Sequence, residues 1–289
     1  MPVWLRAESN LRSGAQGFRQ RLKAPLFWWL FSHVDRFLCI GTANRAFYLA
    51  RGVPKDKLAD APYCIDNARF ADAAARAQRN RVQLRTEWRV PPDAVCILFV
   101  GKLIHKKRPL DLIAACQLAK ARRPDLSFHL LFVGTGELAE QVRANCQVVW
   151  DADRPNFGPS AQNPDAPSAS FLGFVNQSRL PEAYAAGDCL ALPSEATETW
   201  GLVVNEAMAS GIPTLVSDAV GCADDLVRPI DPQLVFPLGD IEAQAGALIR
   251  MADARPSAAA LARIIKQFDP VRTVETVERL WGETQPAYR

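Results

Sequence analysis

"VCILFVGKLIHKKRPLDLIAACQLAKARR", residues 95–123, decides the fold. Its first seven residues form a short apolar run ending in glycine, the pattern of a buried strand and its turn. Helical spacing follows from Pro109 to Arg123, with proline suited to a first helical position. The unit then repeats. "SFHLLFVGTGE" (127–137) is a second strand and glycine turn leading into "LAEQVRANC". "CLALPS" (189–194) and "PTLVSD" (213–218) read as further strands, and "SRLPEAYAAGD", "LVVNEAMASG" and "DIEAQAGALIRMAD" as helices. Strand and helix in alternation specify an α/β fold with a parallel sheet covered on both faces. A ligand crevice is then expected at the carboxyl ends of the strands.

Two segments break the rhythm. "QVVWDADRPNFGPSAQNPDAPSAS" (147–170) is rich in Pro, Asn, Asp and Ser and reads as a long surface loop. Residues 1–72 read as a shorter α/β piece with strands at "VWLRAE" and "RFLCIG", a helix at "ANRAFYLARG" and a linker at "PYCIDNARF". Within it, "FRQRLKAPLFWWLF" (18–31) sets Arg19, Arg21 and Lys23 before Phe27, Trp28, Trp29 and Phe31. Such a helix suits peripheral contact with a membrane interface. The alternative, favoured because Pro25 interrupts the stripe and its length is modest, is a helix packing its aromatics into the missing or neighbouring domain.

Composition bounds the function. With 289 residues the chain is long enough for two domains, and a net charge of +3 gives no argument for nucleic acid. Seven cysteines occur without a CxxC, which suits a reducing cytosol. Three scattered histidines have no metal-ligand spacing, so no metal is expected. No stretch reaches the roughly 20 apolar residues of a membrane span, and "MPVWLRAESN" is not the start of a signal peptide.

Three stretches carry candidate chemistry. The turn after Gly101 presents Lys102, Lys106, Lys107 and Arg108, either a diphosphate-neutralising cluster or a solvated basic turn. The turn at Gly134 and Gly136 lacks the third glycine of a dinucleotide fingerprint; a tight turn that needs small residues is the favoured reading. "SEATETWGLVVNEAMASG" (194–211) starts a helix after Gly201 and carries Glu198 and Glu206. Free N–H groups at such a helix start attract phosphate. The helical rise between the glutamates covers about 8–10 Å, the span from a sugar to a ribose across a diphosphate. Two acids on a helix edge are the plain alternative.

In this order, "VGKLIHKKRPLDLI", "LLFVGTGEL", "FLGFVNQSRLPEAYAAGDCLALPS" and "ETWGLVVNEAMASGIPTLVSD" resemble the donor-binding domain of family 4 glycosyltransferases, over nearly all of residues 93–250. The most specific match is the pair Glu198 and Glu206 with seven residues between them. "LRAESN", "FLCIGTANRAFYLARGVPKDKL" and "PYCIDNARF" are similar to the last third of that family's acceptor domain and its linker. The resemblance implies a GT-B fold. Residues 1–72 would be the end of an N-terminally incomplete acceptor domain, 73–270 a Rossmann-like donor domain, and 271–289 a helix crossing back to the first part. It further implies a retaining, metal-independent hexosyltransferase that works in the cytoplasm or at the inner face of the membrane, in cell-envelope polysaccharide synthesis. The donor would be a UDP-, GDP- or ADP-sugar, with no cofactor, and the acceptor a glycan, a lipid or a small molecule.

Residue by residue, the resemblance gives Lys102 and Lys107 the diphosphate and Glu198 the donor-sugar hydroxyls, the three together forming the catalytic set. Gly101, Gly134, Trp200, Gly201, Leu202 and Val203 would line the donor, Glu206 would take the ribose, and the backbone around Phe174 and Val175 would face the base. Family members bring a complete first domain, so the expectation includes a partner supplying the missing half. The rival readings are a non-catalytic nucleotide-sugar-binding module and, from the alternating pattern alone, a Rossmann dehydrogenase, for which no GxGxxG follows the first strand.

Overall fold

The computed structural model describes residues 2–11, 18–155 and 165–284. The N-terminal part holds β1 (Trp4–Leu5), α1 (Phe18–Ser32), β2 (Arg36–Cys39), α2 (Thr42–Leu49) and β3 (Leu58–Asp60), with the strands in a parallel sheet of order β1-β2-β3. Helix α1 runs on through Pro25. Phe27 and Phe31 turn towards Phe37, Phe47 and Tyr48, whereas Leu26, Trp28, Trp29 and Leu30 are exposed. The aromatics are therefore split between the two faces. The side chains of Arg19, Arg21 and Lys23 lie outside the described residues.

After the linker come α3 (Asn67–Gln78) and α4 (Arg81–Glu87), then β4 (Val95–Val100), α5 (Pro109–Arg122), β5 (Phe128–Val133), α6 (Ala139–Ala144), β6 (Gln147–Asp151) and β7 (Ser168–Phe171). The chain continues through α7 (Leu180–Ala186), β8 (Cys189–Leu192), α8 (Leu202–Ala209), β9 (Thr214–Ser217), a π-helical turn (Ala223–Val227) and β10 (Val235–Phe236), and ends with α9 (Ile241–Asp253), α10 (Ala258–Ile265) and α11 (Pro270–Thr284). The seven-stranded sheet has the order β10-β9-β8-β4-β5-β7-β6, and every pairing is parallel. Central strands β4, β5 and β8 are apolar almost throughout and buried, because helices cover both sheet faces. Caps define several helices: Asp66, Asp240 and Ser257 each accept from a backbone amide in the first turn of α3, α9 and α10.

The expected loop 147–170 is corrected at both ends. Its start is the edge strand β6 and its end is β7, while residues 156–164 lie outside the described residues. The strands escape a composition reading because β6 ends in an acid and β7 is "SASF". Asp151 is nevertheless buried and held by both branches of the Arg143 guanidinium, at 2.7 and 3.2 Å. The boundary placed at residue 72 falls inside α3, which packs on α7 and α8 through Phe70 and Ala74.

Helix α11 crosses back to the first sheet. Thr273 and Thr276 donate to the carbonyls of Pro62 (3.0 Å) and Asp60 (2.7 Å), and Leu280 packs with Leu38, Ala59 and Ala61. All seven cysteines are free and six are buried, and burial pushes the Cys96 thiol up to about 12, leaving it an inert core group. Among the described residues no helix is long and apolar enough to cross a membrane.

Candidate functional site

Strand order reverses beside β4. The chain proceeds from β4 to β5 and on to the β6 edge, then returns to lay β8, β9 and β10 on the other side. Outside the carboxyl ends of β4 and β8, at this reversal, lies the position where open α/β sheets form a ligand crevice. Lys102 and Lys107 follow β4, and Glu198 follows β8. Topology therefore brings together residues about ninety positions apart.

The two loops are fastened to each other. The Glu195 amide donates to the Lys106 carbonyl at 2.8 Å, Arg108 reaches Glu195 at 3.4 Å, and the Lys107 ammonium bonds directly to Glu198 Oε2. Arg108 adopts a left-handed conformation (φ 51°) just before Pro109 and also holds Asp111 at 2.6 Å. Lys102 is exposed and makes no ion pair among the described residues. It and Lys106, also exposed and without an ion pair among the described residues, are cations available to an incoming anion. His105 lies exposed in the turn between the two lysines.

The glycines at the strand ends let backbones approach closely. A Cβ on Gly134 would stand 2.1 Å from the Gly101 carbonyl oxygen, and one on Gly136 would stand 2.4 Å from that of Leu103. The tight-turn reading of "GTG" is thereby borne out, and the same close packing makes the floor of the crevice from backbone. The Gly134 amide donates to the Gly173 carbonyl at 2.7 Å, which sets Phe174 beside this floor with its ring 82% exposed. Val175 is partly buried next to it.

Gly201 precedes α8 with φ 98°, a conformation that glycine adopts without strain. Leu202 and Val203 open the helix at the crevice, where the first amides have no partner within the helix. Glu206, in the second turn, is 7% exposed and accepts from the Tyr184 hydroxyl at 2.8 Å. Burial raises its pKa, against the lowering effect of hydrogen bonds from Tyr184 and Gln177 and of the Arg69 charge. Tyr184 and Gln177 were missed by sequence reasoning. Tyr184 reads as a core aromatic of α7, and only the packing of α7 on α8 shows what its hydroxyl does.

Trp200, expected among the residues lining the donor, has its side chain in the core. The indole is 2% exposed, donates from Nε1 to Asn205 at 2.8 Å, and packs on Tyr63 and Phe268. It turns inward because Gly41 leaves the space: a Cβ there would stand 2.2 Å from the Trp200 ring. Only the Trp200 backbone can face the crevice. Among the described residues no group of three or more His, Cys, Asp or Glu could hold a metal ion.

The profile of the group 1 glycosyl transferases matches residues 94–254, the stretch that builds this sheet and crevice. The chain belongs to that family. It is 30% identical over 241 residues to a GDP-mannose-dependent alpha-mannosyltransferase of Mycobacterium tuberculosis, covering 81% of this chain and 53% of the relative. Identity with a sulfoquinovosyl transferase of Arabidopsis thaliana is 42% over 173 residues, 58% of this chain and 28% of that protein. The chain thus spans about half the length, or less, of these curated relatives. A UDP-forming trehalose-phosphate synthase from Burkholderia xenovorans superposes with a TM-score of 0.70 over 99% of this chain and 69% of its own, at 15% identity. An Anabaena protein solved with UDP and glucose gives 0.63 over 97% and 71%, at 18% identity. These likenesses establish the fold as that of the GT-B glycosyltransferases.

Proposed function

We propose that the chain binds a nucleotide sugar in the crevice at the ends of β4 and β8, and that the protein transfers its hexose, with retention, to a glycan, lipid or small-molecule acceptor. The observation that carries this reading is the pairing of Lys107 with Glu198 shortly before α8, with Lys102 in the same turn as Lys107 and Glu206 held further along the helix. Lys102 and Lys107 neutralise the diphosphate as the bond from the anomeric carbon to the phosphate oxygen breaks. Lys107 is paired with Glu198. On binding, its ammonium turns to phosphate and the freed carboxylate accepts from sugar hydroxyls. Glu206 accepts from the ribose, and the exposed Phe174 ring offers a stacking face to the base.

The relatives support the donor class. One is named for GDP-mannose, and one structural neighbour was solved with UDP and glucose. We read the acceptor side as belonging to a complete first domain or a partner chain, because the relatives extend well beyond this length. The exposed Leu26, Trp28, Trp29 and Leu30 face of α1 suits peripheral contact at the inner face of a membrane during envelope synthesis, and co-sedimentation with anionic vesicles tests it.

Calorimetric titration with UDP, GDP and ADP tests the central reading. Micromolar binding of one nucleotide, weakened in Glu206→Ala and in Lys102→Ala/Lys107→Ala, is the expected result. A folded chain that binds none of the three would overturn it.

A further inference from the structure

The loop carrying Glu198 is gripped by the N-terminal part of the chain. The Thr199 hydroxyl donates to Glu8 Oε2 at 2.9 Å, and the other Glu8 oxygen accepts from the Tyr63 hydroxyl. Asn10 Nδ2 lies 3.5 Å from the Thr199 carbonyl oxygen. The Tyr63 ring packs edge-on against Trp200 at 6.1 Å, and Arg6 lies over its face at 4.9 Å. Behind the loop, the Thr42 hydroxyl donates to Asp225 at 2.6 Å, and the Gly41 backbone approaches Trp200 too closely for a side chain between them. Thr199 and Trp200 are therefore contacted by residues 8, 10, 41 and 63, none of which belongs to the seven-stranded sheet.

Glu8 is the charged centre of this contact. A carboxylate forms stronger hydrogen bonds than a neutral acceptor, so its grip on two hydroxyls orders the loop more firmly than packing alone. Glu198 stands one residue before Thr199, and the loop leads directly into α8 through Gly201. A shift of Thr199 therefore moves the carboxylate beside Lys107. We propose that Glu8 is a positioning residue of the donor-sugar site, holding Thr199 so that Glu198 stays aligned for the sugar hydroxyls. The proposal rests on the reading of Glu198 as the sugar-binding carboxylate. Under it, the "ESN" segment at 8–10 completes the donor site although it lies about 190 residues away in sequence. Burial and the Glu8 charge push the Tyr63 phenol up to about 12, so it remains a donor to Glu8 throughout the neutral range.

Nucleotide and nucleotide-sugar binding separate positioning from bulk structure, because only the sugar meets Glu198. Glu8→Ala, Thr199→Val and Thr199→Ser are titrated with UDP and UDP-glucose, GDP and GDP-mannose, and ADP and ADP-glucose, and amide exchange is followed over residues 198–203. Glu8→Ala and Thr199→Val should keep nucleotide affinity within about twofold. They should lose about tenfold of the added affinity for the sugar form and exchange faster in the loop. Thr199→Ser, which keeps the hydroxyl, should restore both. Equal loss of nucleotide and nucleotide-sugar affinity would show a merely structural contact and overturn the proposal, as would unchanged sugar affinity. If the wild-type chain binds no nucleotide, the donor-site reading fails by itself. Loop exchange then decides the positioning claim, which falls if Glu8→Ala leaves exchange unchanged.

Discussion

At the carboxyl ends of β4 and β8 the carboxylates face a crevice with few partners; at the amino ends of the same strands one carboxylate has a surplus of them. Asp188 sits just before β8 and accepts from the Cys96 amide at 2.8 Å, Arg81 at 2.8 Å, Arg85 at 3.1 Å and, directly, Arg255. Burial by itself would raise its pKa, yet the Cys96 amide and the Arg255, Arg81 and Arg85 charges hold it below the usual carboxylate range. Glu206 is as deeply buried, has no arginine bonded to it, and is displaced the other way. Arg81 also closes the end of α7, donating to the carbonyls of Ala185 and, at 2.8 Å, Gly187, and Arg85 seals those of Pro91 and Ala94. At one end of the sheet the Asp188 charge is balanced within the protein. At the other, Glu198 has one cation, Lys107, and Glu206 has hydrogen bonds from Tyr184 and Gln177 but no bonded arginine.

The largest expected effect breaks the satisfied end. Asp188→Ala leaves three guanidinium groups without their shared anion and should cost about 3 kcal/mol in urea unfolding, the low end for a broken buried pair because Arg255 reaches solvent. Next comes the crevice. Lys102→Ala/Lys107→Ala should weaken nucleotide binding about a hundredfold in calorimetry while leaving the unfolding midpoint nearly unchanged. Glu206→Ala should weaken it about tenfold, the share of one charged acceptor for ribose hydroxyls.

The two ends should also differ in their dependence on pH. Asp188, with its folded pKa depressed, contributes stability that is present above its unfolded value near 4 and is lost as pH falls through the folded pKa. Glu206, with its folded pKa raised, is without cost at low pH, and its penalty grows as pH rises through the interval between unfolded and folded values. Unfolding of Asp188→Asn and Glu206→Gln followed from pH 3 to 8 should therefore change the wild-type slope in opposite senses. A common sign would break the comparison. The smallest effect sharpens it: Tyr184→Phe removes one hydrogen bond from Glu206 and should lower stability by about 1 kcal/mol at neutral pH.

The sequence by itself determined the alternation of strand and helix, and with it the parallel sheet. It also determined the order of the lysine turn, the glycine turn and the paired glutamates, because apolar periodicity and glycine placement are local properties. It did not reveal β6 and β7, whose polar residues are balanced by partners such as Arg143 that only folding brings near. Nor did it reveal that Trp200 turns inward, which depends on the empty space at Gly41, or that Tyr184 and Gln177 hold Glu206. Glu8 is the clearest case. Nothing in "LRAESN" marks it, because its meaning lies in a hydroxyl 191 residues further along the chain. Local spacing encodes which groups a site contains. Which of them are free, which are paired and which are turned away is set by long-range packing, because the partners that satisfy or displace each group come from distant parts of the chain.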